Sequence, residues 1–177
     1  DGYLCITGRA RYLVIRVSHT IYPQPIEEIL YLHPAVALAA MVGQPDAYAG
    51  ELPVAYVQPK PGIQLDSGTL LEWIRERTPE RAAVPVALHL IDVMPLTGVG
   101  KVFKPALRWD SARRVAERDL AKLDLPGLAV QVGAHPVHGS LITVHVSGVP
   151  EGERDTLADR ITNCLGPLVM RHEVVWD

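Results

Sequence analysis

Lys101 is the residue of this chain whose surroundings most clearly suit chemistry. It closes the run Pro95-Leu96-Thr97-Gly98-Val99-Gly100-Lys101 and is followed by Val102-Phe103-Lys104. Two glycines hinge that run directly after an apolar, strand-like stretch. A lysine held in this way is a mobile point charge with three donors, suited to bridging a carboxylate and a phosphate. A phosphate-binding P-loop is excluded, because its upstream glycine is missing and Val102 stands where a Ser or Thr must follow the lysine. The other candidates read as structure. His135-Pro136-Val137-His138 offers two imidazoles where zinc needs three or four converging ligands, and the proline turn forbids a helical pair. Gly139-Ser140-Leu141 lacks the Asp that precedes a carrier-protein attachment serine. Trp73, Trp109 and Trp176 read as packing residues, and Cys164, late on a helix, as a small core residue.

The elements that must position Lys101 follow from turn residues and periodicity. Asp1-Gly2 is a turn pair. Strands are expected over 3–7 and 12–16, joined by Gly8-Arg9-Ala10-Arg11. A turn joins two strands, so a partner strand is expected upstream and the chain is expected to be the tail of a longer polypeptide. Pro23 and Pro25 open a helix carrying Ile26, Ile29 and Leu30 on one face, with Glu27 and Glu28 at its positive end. Strands are expected at 35–42 and 52–58 with a loop over 43–50. Thr69-Leu70-Leu71-Glu72 has capping-box spacing for a helix through Arg77, and a strand over 87–93 delivers the lysine loop. The order ββαββαβ is an α+β module, a small sheet with flanking helices. Beyond Pro105 a helix over 106–123, strands at 129–132 and 141–146, a helix over 153–165 and a strand over 170–176 give an appended αββαβ two-layer unit, ferredoxin-like in part. The expected domains are 1–107 and 108–177.

Composition narrows the partners. With 177 residues, 48% of them hydrophobic, a substantial core can be buried in one domain or two small ones. A net charge of −3 and the lack of a Lys/Arg stripe exclude a nucleic-acid footprint. Two cysteines form no disulfide framework and fit a reducing compartment. No apolar run approaches the roughly 20 residues needed to span a bilayer, and no signal peptide is visible. The expected location is cytoplasmic.

Four segments, in this order and at these spacings, resemble the mobile C-terminal domain of the AMP-forming acyl-CoA synthetases, within the superfamily of acyl-adenylate-forming ligases. They are Asp1-Gly2-Tyr3-Leu4 with Gly8-Arg9, Ile21-Tyr22-Pro23 with Ile26-Glu27-Glu28, His33-Pro34-Ala35-Val36 with Gly43-Gln44-Pro45-Asp46 and Gly50-Glu51, and Pro95-Leu96-Thr97 with Gly100-Lys101. The resemblance covers residues 1 to about 107 and implies a two-step ligase. A carboxylate attacks the α-phosphate of ATP, held with Mg2+, to give an acyl-adenylate and pyrophosphate. The domain then swings, and coenzyme A displaces AMP to give a thioester. The resemblance makes Lys101 the adenylation lysine, Arg9 a contact to the ribose and phosphate of the nucleotide, and Arg11 the hinge. It also implies a large N-terminal domain holding the ATP, metal and acyl pockets, so that the fragment alone is inactive and its carboxylic acid unread.

The chain departs from the family pattern where coenzyme A is approached. Tyr12 stands for a usual Asp, Val17-Ser18 for two glycines, and Thr20 for a frequent Asn. Glycines would let the backbone approach the pantetheine arm, whereas Val17 is β-branched and stiff. Val17, Ser18 and His19 are therefore the candidate acceptor loop. Two other readings stand beside the acyl-CoA synthetase. One is an adenylation domain loading a carrier protein or another acceptor. The other is a non-catalytic interaction or regulatory module, its tail a docking unit.

Overall fold

A computed structural model describes residues 12–125 and 127–177. Arg9, Arg11, Cys5 and the strand expected at 3–7 lie outside the described residues. The chain divides into two compact units. One holds residues up to Gly43 together with Glu51–Lys104, and the other holds Gln44–Gly50 with Pro105–Asp177.

The first unit is a five-stranded sheet with two helices. Its strands are β1 (Val14–Arg16), β2 (His19–Ile21), β3 (Val36–Asp46), β4 (Gly50–Pro59) and β5 (Ala87–Leu90), in the order β2-β1-β4-β3 with β5 also on β4. β5 runs parallel to β4, Val54–Val57 facing Ala87–Leu90. Helix α1 (Pro23–Tyr31) buries Ile26 and Leu30, and α2 (Ser67–Arg77) buries Leu70 and Ile74. These side chains meet Val14, Ile21, Val36, Met41, Ala55, Val57 and Leu88 in one core. Each fully buried Leu or Ile there contributes about 1.5–3 kcal/mol of transfer free energy.

Several expectations shift in register. The strand expected over 12–16 is β1, and its expected join to residues 3–7 through 8–11 lies outside the described residues. β1 pairs forward as a hairpin, Arg16 opposite His19 around Val17-Ser18, so the expected acceptor loop is a turn between two strands. The loop expected over 43–50 shrinks to residues 47–49, where the Asp46 carboxylate accepts the N–H groups of Tyr48 and Ala49 at 3.0 and 2.8 Å. The cap of α2 is Asp66 rather than Thr69. Its carboxylate accepts the Thr69 N–H at 2.7 Å, and that bond holds the Asp66 acid below its ordinary range. β5 stops at Leu90, three residues early.

The second unit is α3 (Lys104–Leu120, beginning one residue inside the first unit), β6 (Leu128–His135), β7 (Gly139–Val146), α4 (Glu151–Leu165) and β8 (Arg171–Trp176). Its sheet order is β6-β7-β8, with an antiparallel hairpin and a parallel β7–β8 pair. Where a ferredoxin-like sheet would insert a further strand, β7 and β8 are direct neighbours. The residues on one face, Val130, Ile142, Val144 and Val146, pack with Val115, Ala116 and Leu120 of α3 and Leu157, Ile161 and Leu165 of α4. Trp176 and Cys164 pack against that core. Burial raises the Cys164 thiol, with Asp119 adding to the shift, which suits a packing role and not a nucleophile.

Candidate functional site

The lysine loop is a small closed hairpin. Leu96 and Val102 form an antiparallel bridge, the Phe103 N–H donates to the Pro95 carbonyl at 2.8 Å, and the Thr97 N–H donates to the Lys101 carbonyl at 2.7 Å. Inside the turn the Gly100 N–H reaches Thr97 O at 2.8 Å, and the Lys101 N–H reaches Thr97 Oγ1 at 3.2 Å. Gly100 has φ +76°, a conformation that costs a residue with a Cβ roughly 1–2 kcal/mol, so glycine belongs there. The backbone of Lys101 is thus fixed on both sides while its side chain is exposed. Its ammonium has no ion pair or hydrogen bond among the described residues. Beside it on the same loop Val99 is 81% exposed and Leu96 48%. Exposed aliphatic side chains around an unpaired cation suit a surface that closes on another body.

Behind the loop lies a contact between residues far apart in sequence. Lys104, three residues after Lys101, places Nζ 2.6 Å from Oε1 of Glu27 on α1, and the same oxygen accepts the Met41 N–H at 2.7 Å. Both side chains are over four-fifths buried. The Tyr12 ring lies 5.5 Å from the same ammonium, so the residue standing for a usual Asp faces a cation. Glu27 therefore does not serve the positive end of α1, as expected from its spacing. It tethers the C-terminal stem of the lysine loop to the helix. Glu28 instead accepts from Gln24 at 2.8 Å.

The second candidate region is the β1–β2 turn. Val17 has φ +55° and Ser18 does not share the left-handed conformation, so the positive φ falls on the first central residue, where hairpin turns favour glycine. Val17 is 70% exposed, and Ser18 and His19 are exposed beside it. The turn is held from the side by Glu51, whose carboxylate accepts the Ile15 N–H at 3.1 Å. That carboxylate lies 2.5 Å from where a Cβ on Gly43 would sit, so the glycine and the acid of the third segment fit one another in space. The structure therefore groups Val17, Ser18 and His19 on one tip and puts Lys101 on a separate loop.

Among the described residues no cluster of three His, Cys, Asp or Glu side chains could hold a metal ion. The rings of His135 and His138 stack at 4.8 Å, and His135 Nδ1 is occupied by the N–H groups of Val137 and His138. Ser140 accepts a hydrogen bond from Trp109 Nε1 at 2.9 Å, a structural use of that hydroxyl. No helix among the described residues is long and apolar enough to cross a membrane.

Residues 25–101, from α1 to the lysine itself, match the AMP-binding enzyme C-terminal domain. This segment belongs to that family. The chain is 44% identical over 124 residues to the marinolic acid–CoA ligase of Pseudoalteromonas sp. (strain SANK 73390), a match covering 70% of this chain and 19% of that ligase. Among solved structures it resembles ATP-bound MatB from Rhodopseudomonas palustris, with TM-score 0.54 and 29% identity over 58% of this chain and 20% of that one. It also resembles the amide bond synthetase McbA from Marinactinospora thermotolerans, with TM-score 0.50 and 30% identity over 54% of this chain and 19% of that one. The chain thus spans about a fifth of the length of the relatives it matches. Those relatives are acyl-CoA ligases and related adenylate-forming enzymes, and the α+β fold expected from the sequence is the fold of their C-terminal domain.

Proposed function

We propose that this chain is the lid of an ATP-dependent, cytoplasmic acid–thiol ligase, and that Lys101 is its adenylation lysine. The observation that carries this reading is the lysine loop, with its backbone pinned by its own hairpin and its ammonium unpaired and exposed among apolar neighbours. A cation so presented is positioned for a site where a carboxylate and the α-phosphate of ATP meet. As the carboxylate oxygen attacks the α-phosphorus and the bond to the departing pyrophosphate breaks, negative charge gathers on the phosphoryl oxygens. A preorganised ammonium there stabilises that charge without reorganising at the moment of reaction. Closure against the large domain would cover Leu96 and Val99, exclude water and strengthen the interaction. Coenzyme A would then displace AMP at the face carrying the Val17 turn. Arg9 and Arg11 keep the nucleotide and hinge roles that the family pattern implies, and residues 108–177 form an appended domain. The test is pyrophosphate exchange by the complete ligase. Lys101→Ala should lower it on the order of 10²–10³-fold, the cost of removing one such group. An unchanged rate defeats the assignment.

Val17 favours a second reading, in which the acceptor is not coenzyme A. A β-branched residue at a tip where glycine is expected narrows the approach of a pantetheine arm, and likeness to an amide bond synthetase fits a different acceptor. Product analysis with thiol and amine acceptors separates the two.

A further inference from the structure

The lysine loop is braced within itself, yet hydrogen bonds inside a closed hairpin do not set the direction in which its tip points. Two side chains of the first unit hold its stems. On the N-terminal side Gln58 of β4 accepts the Met94 N–H at 2.7 Å through Oε1, and Met94 is buried. On the C-terminal side the Lys104 ammonium donates to Oε1 of Glu27 at 2.6 Å, and that same oxygen accepts the N–H of Met41 on β3. One carboxylate oxygen thus ties the loop to a helix and to the sheet at once. The bond joins two ions in a mostly buried setting, where such contacts are strong and hold their geometry. The Tyr12 ring, 5.5 Å from the ammonium, adds a weak cation–π contact and no competing anion.

We propose that Lys104 and Glu27 are positioning residues for the adenylation step, their bond setting the angle at which the hairpin delivers the Lys101 ammonium. This rests on the ligase reading above and deepens it. Lys101 and Lys104 are three residues apart, and the Leu96–Val102 bridge and the bond from the Phe103 N–H to the Pro95 carbonyl brace the chain between them. A stem held in this way turns as one piece, so a shift at Lys104 carries over to the tip. Misplacing a reacting group by about 1 Å costs on the order of 10²-fold in rate. The acceptor turn at Val17 belongs to a separate hairpin and does not share this anchor.

Pyrophosphate exchange and thioester formation from preformed acyl-adenylate, both by the complete ligase, test the assignment. Lys104→Met should lower the kcat of exchange on the order of 10–10²-fold, with little change in the KM for ATP. Thioester formation should stay close to the wild-type rate. Lys104→Arg, which returns a cation to Glu27, should recover most of the loss. Because the pair acts through Lys101, adding Lys104→Met to Lys101→Ala should cost nothing further, whereas independent losses multiply. Circular dichroism at the assay temperature confirms the fold of each variant. If Lys104→Met unfolds, Glu27→Gln carries the same test, since it keeps an acceptor for the Met41 N–H and removes the charge. An exchange rate unchanged by breaking the pair, an equal loss in both steps, or losses that multiply in the double variant overturns the proposal. An exchange untouched by Lys101→Ala defeats the ligase reading, whereas a loss there beside a flat Lys104→Met defeats only the tether.

Discussion

Among the turns of the first unit with a backbone in the left-handed region, the lysine loop and the β1–β2 turn meet that demand differently. At the lysine loop the residue is Gly100, φ +76°, and the loop is free of steric cost. At the β1–β2 turn it is Val17, φ +55°, a β-branched side chain in a conformation that costs about 1–2 kcal/mol. The lysine loop is closed by a bridge and tethered through Lys104 to Glu27. The Val17 tip depends on a two-residue hairpin and the Glu51 contact to Ile15. The difference teaches that the loop proposed to serve adenylation follows its local backbone rules, while the turn proposed to face the acceptor breaks one. Strain of this kind persists where the surroundings enforce it and clusters at functional positions.

Breaking the tether should have the largest effect on stability. Glu27→Ala leaves the Lys104 ammonium and the Met41 N–H without their shared acceptor in a mostly buried setting. It should cost about 2–4 kcal/mol in urea unfolding. Lys104→Met should cost less, because the Glu27 carboxylate it leaves without a cation keeps the Met41 N–H and can take up a proton. Equal losses would show that the pair is ordinary packing.

Relieving the strained turn should act in the opposite direction and more weakly. Val17→Gly removes the unfavourable φ but loosens the unfolded chain, a net gain of about 0.5–1 kcal/mol. In the complete ligase, glycines at both 17 and 18 should raise the rate of thioester formation and leave pyrophosphate exchange alone. A flat thioester rate sinks the idea that this turn obstructs the acceptor.

The smallest expected effect lies away from both turns. Burial, aided by Arg171, holds the His172 imidazolium below its ordinary value of 6.5. The unfolded chain then takes up a proton that the folded chain resists. Stability should therefore fall as pH drops through about 6.5 and level off below the folded value. His172→Gln should flatten that slope in urea midpoints measured across the range, while Val17→Gly should not. A slope that survives the substitution belongs to another group.

Much of this was legible in the sequence. The apolar spacing of Ile26 and Leu30, and of Leu70 and Ile74, located both helices of the first unit, because one buried stripe suffices to define a helix. The alternation through Ile142, Val144 and Val146 located the sheet face of the second. The lysine loop was visible because glycine and lysine types at short range carry the signal. What could not be read depends on pairs distant in sequence. Glu27 and Lys104 meet only after the first unit has folded. The hairpin at Val17 was hidden because a turn that normally advertises itself with glycine is built from valine and serine. The cap at Asp66 is masked by Thr69 and Glu72, which present a competing capping signal three residues on.

The most direct measurement is ATP–pyrophosphate exchange by the complete ligase, wild type against Lys101→Ala, with thioester formation from preformed acyl-adenylate followed in parallel. The account predicts exchange lowered on the order of 10²–10³-fold and the second step little changed. Exchange at the wild-type rate, or an equal loss in both steps, would contradict it.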